Sequence, residues 1–127
     1  MKRGGILNPA LSSAIAGLGH GHLVVIADSG LPIPATVPTV DLTLVRGIPR
    51  FTEVLRAVLA EIVVEGSIIA SEAQDGVAGE WVRAEGLTPR TIPHEDLKAL
   101  LPTARLVIRT GEATPYANVI LQSGVDF

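Results

Sequence analysis

The sequence predicts an α/β fold, a single-domain layered structure with a mostly parallel central sheet flanked by helices. Three observations lead there. The chain has 127 residues and no break in composition, and half that length is small for an independent core, so residues 1–127 read as one domain. Leu23 to Ala27 is an unbroken apolar run rich in β-branched residues, the habit of a strand covered on both faces, as parallel-sheet strands are. Further apolar runs of this kind alternate with segments of helical period, the pattern of layered α/β domains.

The elements follow in order. Asn8 is a good helix N-cap and Pro9 fits the first helical position, with Leu11, Ala14, Ile15 and Leu18 recurring at helical spacing. Gly19 is expected to stop this helix. After the Leu23–Ala27 strand, Pro32, Pro34 and Pro38 impose an extended, irregular path, and Val40 to Val45 reads as a short strand. Pro49 is expected to open the clearest helix, whose apolar stripe holds Phe51, Val54, Leu55, Val58, Leu59 and Ile62. Ile62 to Ala70 reads as a second buried strand. From Ser71 to Arg90, Gly76, Gly79 and Gly86 are expected to break any helix into pieces around Trp81. Thr91 to Leu101 resembles a short helix opened near His94, with Glu95 and Asp96 in its first turn. Arg105 to Arg109 and Asn118 to Gln122 read as two more strands, parted by a turn with Gly111 and Pro115.

Composition bounds the functions. Hydrophobic residues make up 47% of the chain, aromatic ones 3% and charged ones 18%, the last against an average of about 25%; mean hydropathy is +0.43. A small domain exposes a large share of its surface, so this aliphatic excess predicts burial against further copies of the chain, a homo-oligomer. Ten basic and thirteen acidic residues give a net charge of −3, without a Lys/Arg cluster, which argues against a nucleic-acid partner. The absence of cysteine removes disulfides and thiolate chemistry and suits a cytoplasmic protein. Asn8, Pro9, Ser12 and Ser13 interrupt the stretch after Met1-Lys2-Arg3 where a signal peptide needs continuity. No apolar run approaches the ~20 residues of a membrane span.

Several motifs fail on inspection. Gly17-Leu18-Gly19-His20-Gly21 looks like a dinucleotide loop but follows a helix and precedes a strand, the reverse of what phosphate binding at a helix N-terminus needs. His20 and His22 lie two apart and would share a face of a strand, yet no third metal ligand stands at a recognisable spacing. What remains is a set of polar residues at the ends of apolar strands, where open α/β sheets bind ligands. These are His20 before the first strand, Asp28-Ser29-Gly30 after it, His94 at a helix start, and Pro115-Tyr116-Ala117-Asn118 opening the last strand. Each also has an ordinary reading as a loop, turn or capping residue.

These residues also form longer blocks. Leu7-Asn8, Leu11-Ser12-Ser13, Leu18-Gly19-His20, Val24-Val25, Asp28-Ser29-Gly30-Leu31-Pro32-Ile33-Pro34, Arg109-Thr110-Gly111-Glu112 and Pro115-Tyr116-Ala117-Asn118 together resemble the ribose pyranase/fucose mutarotase family, and the Gly-Leu-Pro-Ile-Pro block resembles its ribose branch. The resemblance implies an isomerase that interconverts the β-pyranose and β-furanose forms of D-ribose, supplies the furanose to ribokinase, and needs no cofactor or metal. By position, His20 matches the family's proton donor. Asp28, His94, Tyr116, Ala117 and Asn118 match its substrate-binding positions. The family's members are toroidal decamers of two stacked pentamers with sites near subunit contacts, so the same assembly is implied here. The Ser71–Arg90 stretch is shorter than in the longer members, and His22 has no counterpart that gives it a role.

Such residues suit the chemistry. To change ring size, the ring oxygen must gain a proton while the anomeric hydroxyl loses one, and another hydroxyl then closes on the open aldehyde. A histidine titrating near neutrality can serve, at a typical ~10²–10⁴-fold. His20 is expected to be the general acid and His94 a base or hydroxyl ligand, with Asp28, Tyr116 and Asn118 bonding or packing against the polyol. An L-fucose-type mutarotase and a non-catalytic sugar-binding module are the alternatives.

Overall fold

The computed structural model describes residues 1–127. Six strands form one sheet in the order β2-β5-β1-β6-β3-β4, namely β1 (Leu23–Ala27), β2 (Thr39–Asp41), β3 (Val64–Ala70), β4 (Arg90–Ile92), β5 (Leu106–Arg109) and β6 (Val119–Ser123). The β2–β5, β1–β5 and β3–β4 pairs are parallel. Only β6, wedged between β1 and β3, runs the other way. The mostly parallel α/β sheet that the sequence predicts is thus present, and β1 has four fully buried residues of five, as its unbroken apolar run requires.

The two faces are covered unequally. On one side Val24, Ile26, Leu106, Ile108, Val119 and Leu121 pack against helices α1 (Pro9–Ala16), α2 (Phe51–Leu59) and α3 (Val77–Ala84). On the other, Val25, Ala27, Val107, Ile120 and Ile68 meet Leu97 and Leu101 of α4 (His94–Leu100) and the turn after it, together with Leu31 and Val37 from the proline-rich loop. The alternation along each strand supplies both faces.

Several boundaries differ from the sequence reading. Asn8 caps α1, its side-chain oxygen accepting from the Leu11 amide at 2.9 Å, but the helix ends at Gly17 rather than Gly19. The expected Val40–Val45 strand shrinks to Thr39–Asp41. Asp41 draws the chain out of the sheet by accepting from the Thr43 amide, and Leu44 and Val45 instead fold back on Ile48. Helix α2 begins at Phe51, two residues after Pro49, with the Arg50 amide donating to Glu53 at 3.0 Å. The Ser71–Arg90 stretch holds a 3-10 turn at Ser71–Ala73 and the continuous helix α3, and Thr91 and Ile92, expected in a helix, form an edge strand beside β3. Gly79 is not a breaker: a side chain there would overlap the carbonyl of Ala73, so this glycine lets the helix pack closely against the preceding turn.

Candidate functional site

Topology gathers the polar residues at one edge. Because β1, β3, β4 and β5 share a direction, the segments leaving them emerge together, and antiparallel β6 begins at that same edge. Asp28 follows β1, Gly111 and Glu112 follow β5, Glu72 follows β3, His94 follows β4, and Tyr116 to Asn118 lead into β6. Between them opens a cleft of about 320 Å³, at the strand ends where open α/β sheets bind ligands. Asp28, His94, Glu112, Tyr116 and Arg46 are among its walls, and most of its lining is polar.

Asp28 is fixed on three sides. Its Oδ1 accepts from the Gly30 amide at 2.9 Å, its Oδ2 from Asn118 Nδ2 at 3.0 Å, and its own amide donates to Asn118 Oδ1 at 2.8 Å. Asn118 is only 1% exposed, so its amide acts on the cleft through Asp28. The loop beyond is stapled by Arg109, whose Nε and Nη2 both donate to the Ser29 carbonyl, at 3.2 and 2.8 Å. Ala117 is fully buried and its methyl belongs to the core. Tyr116 beside it is 37% exposed and sits at φ +61°, a left-handed backbone that tyrosine rarely adopts.

His94 meets Tyr116 edge to face, with ring centroids 5.1 Å apart. Its amide donates to both oxygens of Glu72, at 3.1 and 3.2 Å. Pro93 supplies no side-chain cap to α4, so Glu72 takes that office from the turn after the neighbouring strand β3, and the His94 amide holds its carboxyl below the ordinary range. The Nδ1 of His94 is buried without any partner in the chain. A buried nitrogen left without a partner costs roughly 1–3 kcal/mol.

Glu112 is the cleft's buried anion, 2% exposed. Burial pushes its carboxyl up, but hydrogen bonds from the Thr114 hydroxyl and the Phe51 and Thr114 amides, with Arg50 nearby at 3.6 Å, hold it below the usual range. Gly111, next to it, lies against the Ile48 backbone so closely that any side chain would overlap it. The resulting bonds, Gly47 amide to Gly111 carbonyl at 2.6 Å and Gly111 amide to Pro49 carbonyl at 2.8 Å, dock the hairpin that carries Arg46 onto the cleft.

His20 is elsewhere. It precedes β1 while Asp28 follows it, and a five-residue strand alone separates its two ends by roughly 16 Å. At this opposite edge His20 Nε2 donates to Glu65 Oε2 at 2.9 Å. His22 shapes the turn, its Nδ1 accepting from the Gly19 amide at 2.9 Å. No three His, Cys, Asp or Glu side chains converge as metal ligands. One chain therefore unites Asp28, His94, Tyr116 and Asn118 and leaves His20 apart. Glu72, Arg46 and Glu65 were not singled out from the sequence, since isolated charges in loops and on edges give no periodic signal, and Glu112 stood out only as part of the Arg109-Thr110-Gly111-Glu112 block, without a role.

A mixed sheet with a polar, hydrogen-bonding cleft at its parallel strand ends makes this an α/β protein suited to a small hydroxylated ligand. A model of the RbsD / FucU transport protein family matches residues 1–126, and the chain belongs to that family. It is 52% identical over 127 residues to the D-ribose pyranase of Cutibacterium acnes and 48% identical over 130 residues to that of Paracidovorax citrulli, with all of each chain covered. Bacillus subtilis RbsD, solved in complex with D-ribose, superposes with a TM-score of 0.93 at 41% identity over the whole of both chains. The fucose mutarotase of Streptococcus pneumoniae, solved with L-fucose, shares the fold at a TM-score of 0.78, 21% identity and 95% coverage of each chain. No helix is long and apolar enough to cross a membrane.

Proposed function

We propose that this chain is an isomerase that interconverts the β-pyranose and β-furanose forms of D-ribose, without a cofactor, and so supplies furanose to a ribose kinase. The observation that carries the reading is the cleft itself, which His94, the anchored Asp28 and Tyr116 line together. Full-length relatives named D-ribose pyranase at about half identity support it. Asp28 accepts from sugar hydroxyls. The Tyr116 ring packs against the C–H side of the sugar, Ala117 and Asn118 set the chain path beneath it, and His94 bonds a hydroxyl or takes the anomeric proton.

His20 serves as the general acid from a neighbouring copy. Residues 1–127 act as one domain in a ring of copies, a decamer of two stacked pentamers, in the cytoplasm. Exposed Leu44, Val45, Ile48, Val63, Val125 and Phe127 supply the apolar surface that such contacts need, and the sites lie at the seams. Saturation-transfer NMR on purified protein tests the reading. Accelerated ribose ring exchange with little effect on L-fucose is expected. Acceleration only for L-fucose, or ribose binding without acceleration, overturns it in favour of a fucose-type mutarotase or a binding module.

A further inference from the structure

Around His20 the chain is built with more care than an exposed loop requires. Its turn is clamped to β6, with the Gly21 amide donating to the Ser123 carbonyl at 2.7 Å and the Ser123 amide to the His22 carbonyl at 2.9 Å. Its imidazole, 61% exposed, is tied by Nε2 to Glu65. Glu65 in turn is held from its other oxygen, Oε1 accepting from Gln122 Nε2 at 2.9 Å.

The sheet is irregular at this one place. Val64 pairs with Ser123 and Gly66 with Gln122, so two residues on β3 advance against one on β6 and Glu65 is the extra residue. A bulge of this kind takes a side chain out of the strand's alternation and re-aims it, and bulges gather beside active sites. Gly66, alongside, leaves room for the Gln122 amide, which lies 3.4 Å from where a side chain would begin. Gln122, Glu65 and His20 thus form a chain of three in which an amide orients a carboxylate and the carboxylate orients an imidazole. Glu61 and Asp126 share the surface recess with His20, but neither hydrogen-bonds to it; the carboxylate that does is Glu65.

We propose that Glu65 is a positioning residue for His20, holding its Nε2–H so that Nδ1 is the nitrogen that trades a proton with the sugar. This rests on the reading of His20 as the general acid. An ionised carboxylate only accepts hydrogen bonds, so the contact fixes which nitrogen keeps its hydrogen. In ring opening, the Nδ1 proton passes to the ring oxygen O5, the C1–O5 bond breaks, and the O1 hydroxyl proton goes to the base across the cleft as C1=O1 forms. His20 is left neutral with its hydrogen on Nε2, against Glu65. In closure, O4 attacks C1, its proton returns to Nδ1, and the base returns one to O1, so both groups are restored.

The test combines ¹⁵N NMR of the His20 imidazole with ribose exchange kinetics in the wild type, Glu65→Ala, Glu65→Gln and His20→Ala. The wild type is expected to hold neutral His20 as the Nε2–H tautomer. Glu65→Ala is expected to mix the tautomers and lower kcat roughly three- to tenfold with KM unchanged, a modest loss because the pair is exposed. Glu65→Gln, which keeps an accepting oxygen, is expected to restore the tautomer and part of the rate. An unchanged tautomer in Glu65→Ala, or a rate equal to wild type, overturns the inference. If His20→Ala itself exchanges ribose at the wild-type rate, the role of His20 falls and this inference with it. A slow His20→Ala beside a fully active Glu65→Ala refutes Glu65 alone.

Discussion

Asn118→Ala separates the support of the site from its contact with sugar. The wild-type amide makes two bonds to Asp28, one accepted from its backbone amide at 2.8 Å and one donated to its carboxylate at 3.0 Å. Truncation leaves the Asp28 amide without a partner and removes a charge-assisted bond. A neutral bond nets about 0.5–1.5 kcal/mol and a charged one about 1.5–3, so the variant is expected to lose roughly 2–4 kcal/mol of stability. Asp28, released on that side, keeps only its bond to Gly30. Loss of one well-aimed hydrogen bond to the sugar then lowers ribose affinity roughly ten- to thirtyfold. Urea unfolding followed by circular dichroism reads the first quantity, and calorimetric titration with ribose under folded conditions reads the second. A variant that loses stability yet binds ribose as the wild type does refutes the claim that Asn118 acts on the cleft through Asp28.

Three further outcomes are expected. His20→Ala, at an exposed site, should melt within about 0.5 kcal/mol of the wild type while its ribose exchange falls toward the lower end of the ~10²–10⁴-fold range of acid–base catalysis, as read by saturation-transfer NMR and thermal unfolding. Glu112 has a folded pKa below its ordinary value of 4.5, so its stabilisation is complete above that value and is lost as pH falls through the lowered one. In urea titrations across that acid window, Glu112→Gln should show a flatter loss of stability than the wild type; an equal slope contradicts the assignment. Gly111→Ala should destabilise by about 1–3 kcal/mol and shift the backbone amide signals of Gly47 and Ile48, because the new methyl overlaps the Ile48 backbone; unshifted signals contradict that contact.

Buried strands and a well-capped first helix were readable because burial writes itself into local composition. Leu23–Ala27 is apolar throughout since both sheet faces are covered, and Asn8-Pro9 marks the start of α1 unaided. β4 was hidden because Arg90–Ile92 is an edge strand of three residues, two of them exposed, with no alternation to detect. α3 was hidden because Gly79 signals a breaker locally and a close contact globally, and only the partner at Ala73 decides between them. Asp28, His94, Tyr116 and Asn118 could be named from strand ends and blocks of sequence. Their supports could not: Glu72 reaches His94 across 22 positions and Arg109 reaches Ser29 across 80, and a bulge at Glu65 depends on the register of β3 against β6. The placement of His20 at the opposite edge likewise follows from strand direction, which no single segment reveals.

The most direct test of a ribose-isomerising site completed between copies is a mixture of two inactive variants. His20→Ala and His94→Ala proteins are each expected to exchange β-ribopyranose with β-ribofuranose slowly in saturation-transfer NMR. When equal amounts are dissociated and reassembled together, a seam that pairs an intact His20 with an intact His94 arises at random in about one quarter of sites. The mixture should therefore regain about one quarter of the wild-type exchange rate. A reassembled mixture no faster than the mean of the two variants alone would contradict a site shared between neighbouring chains.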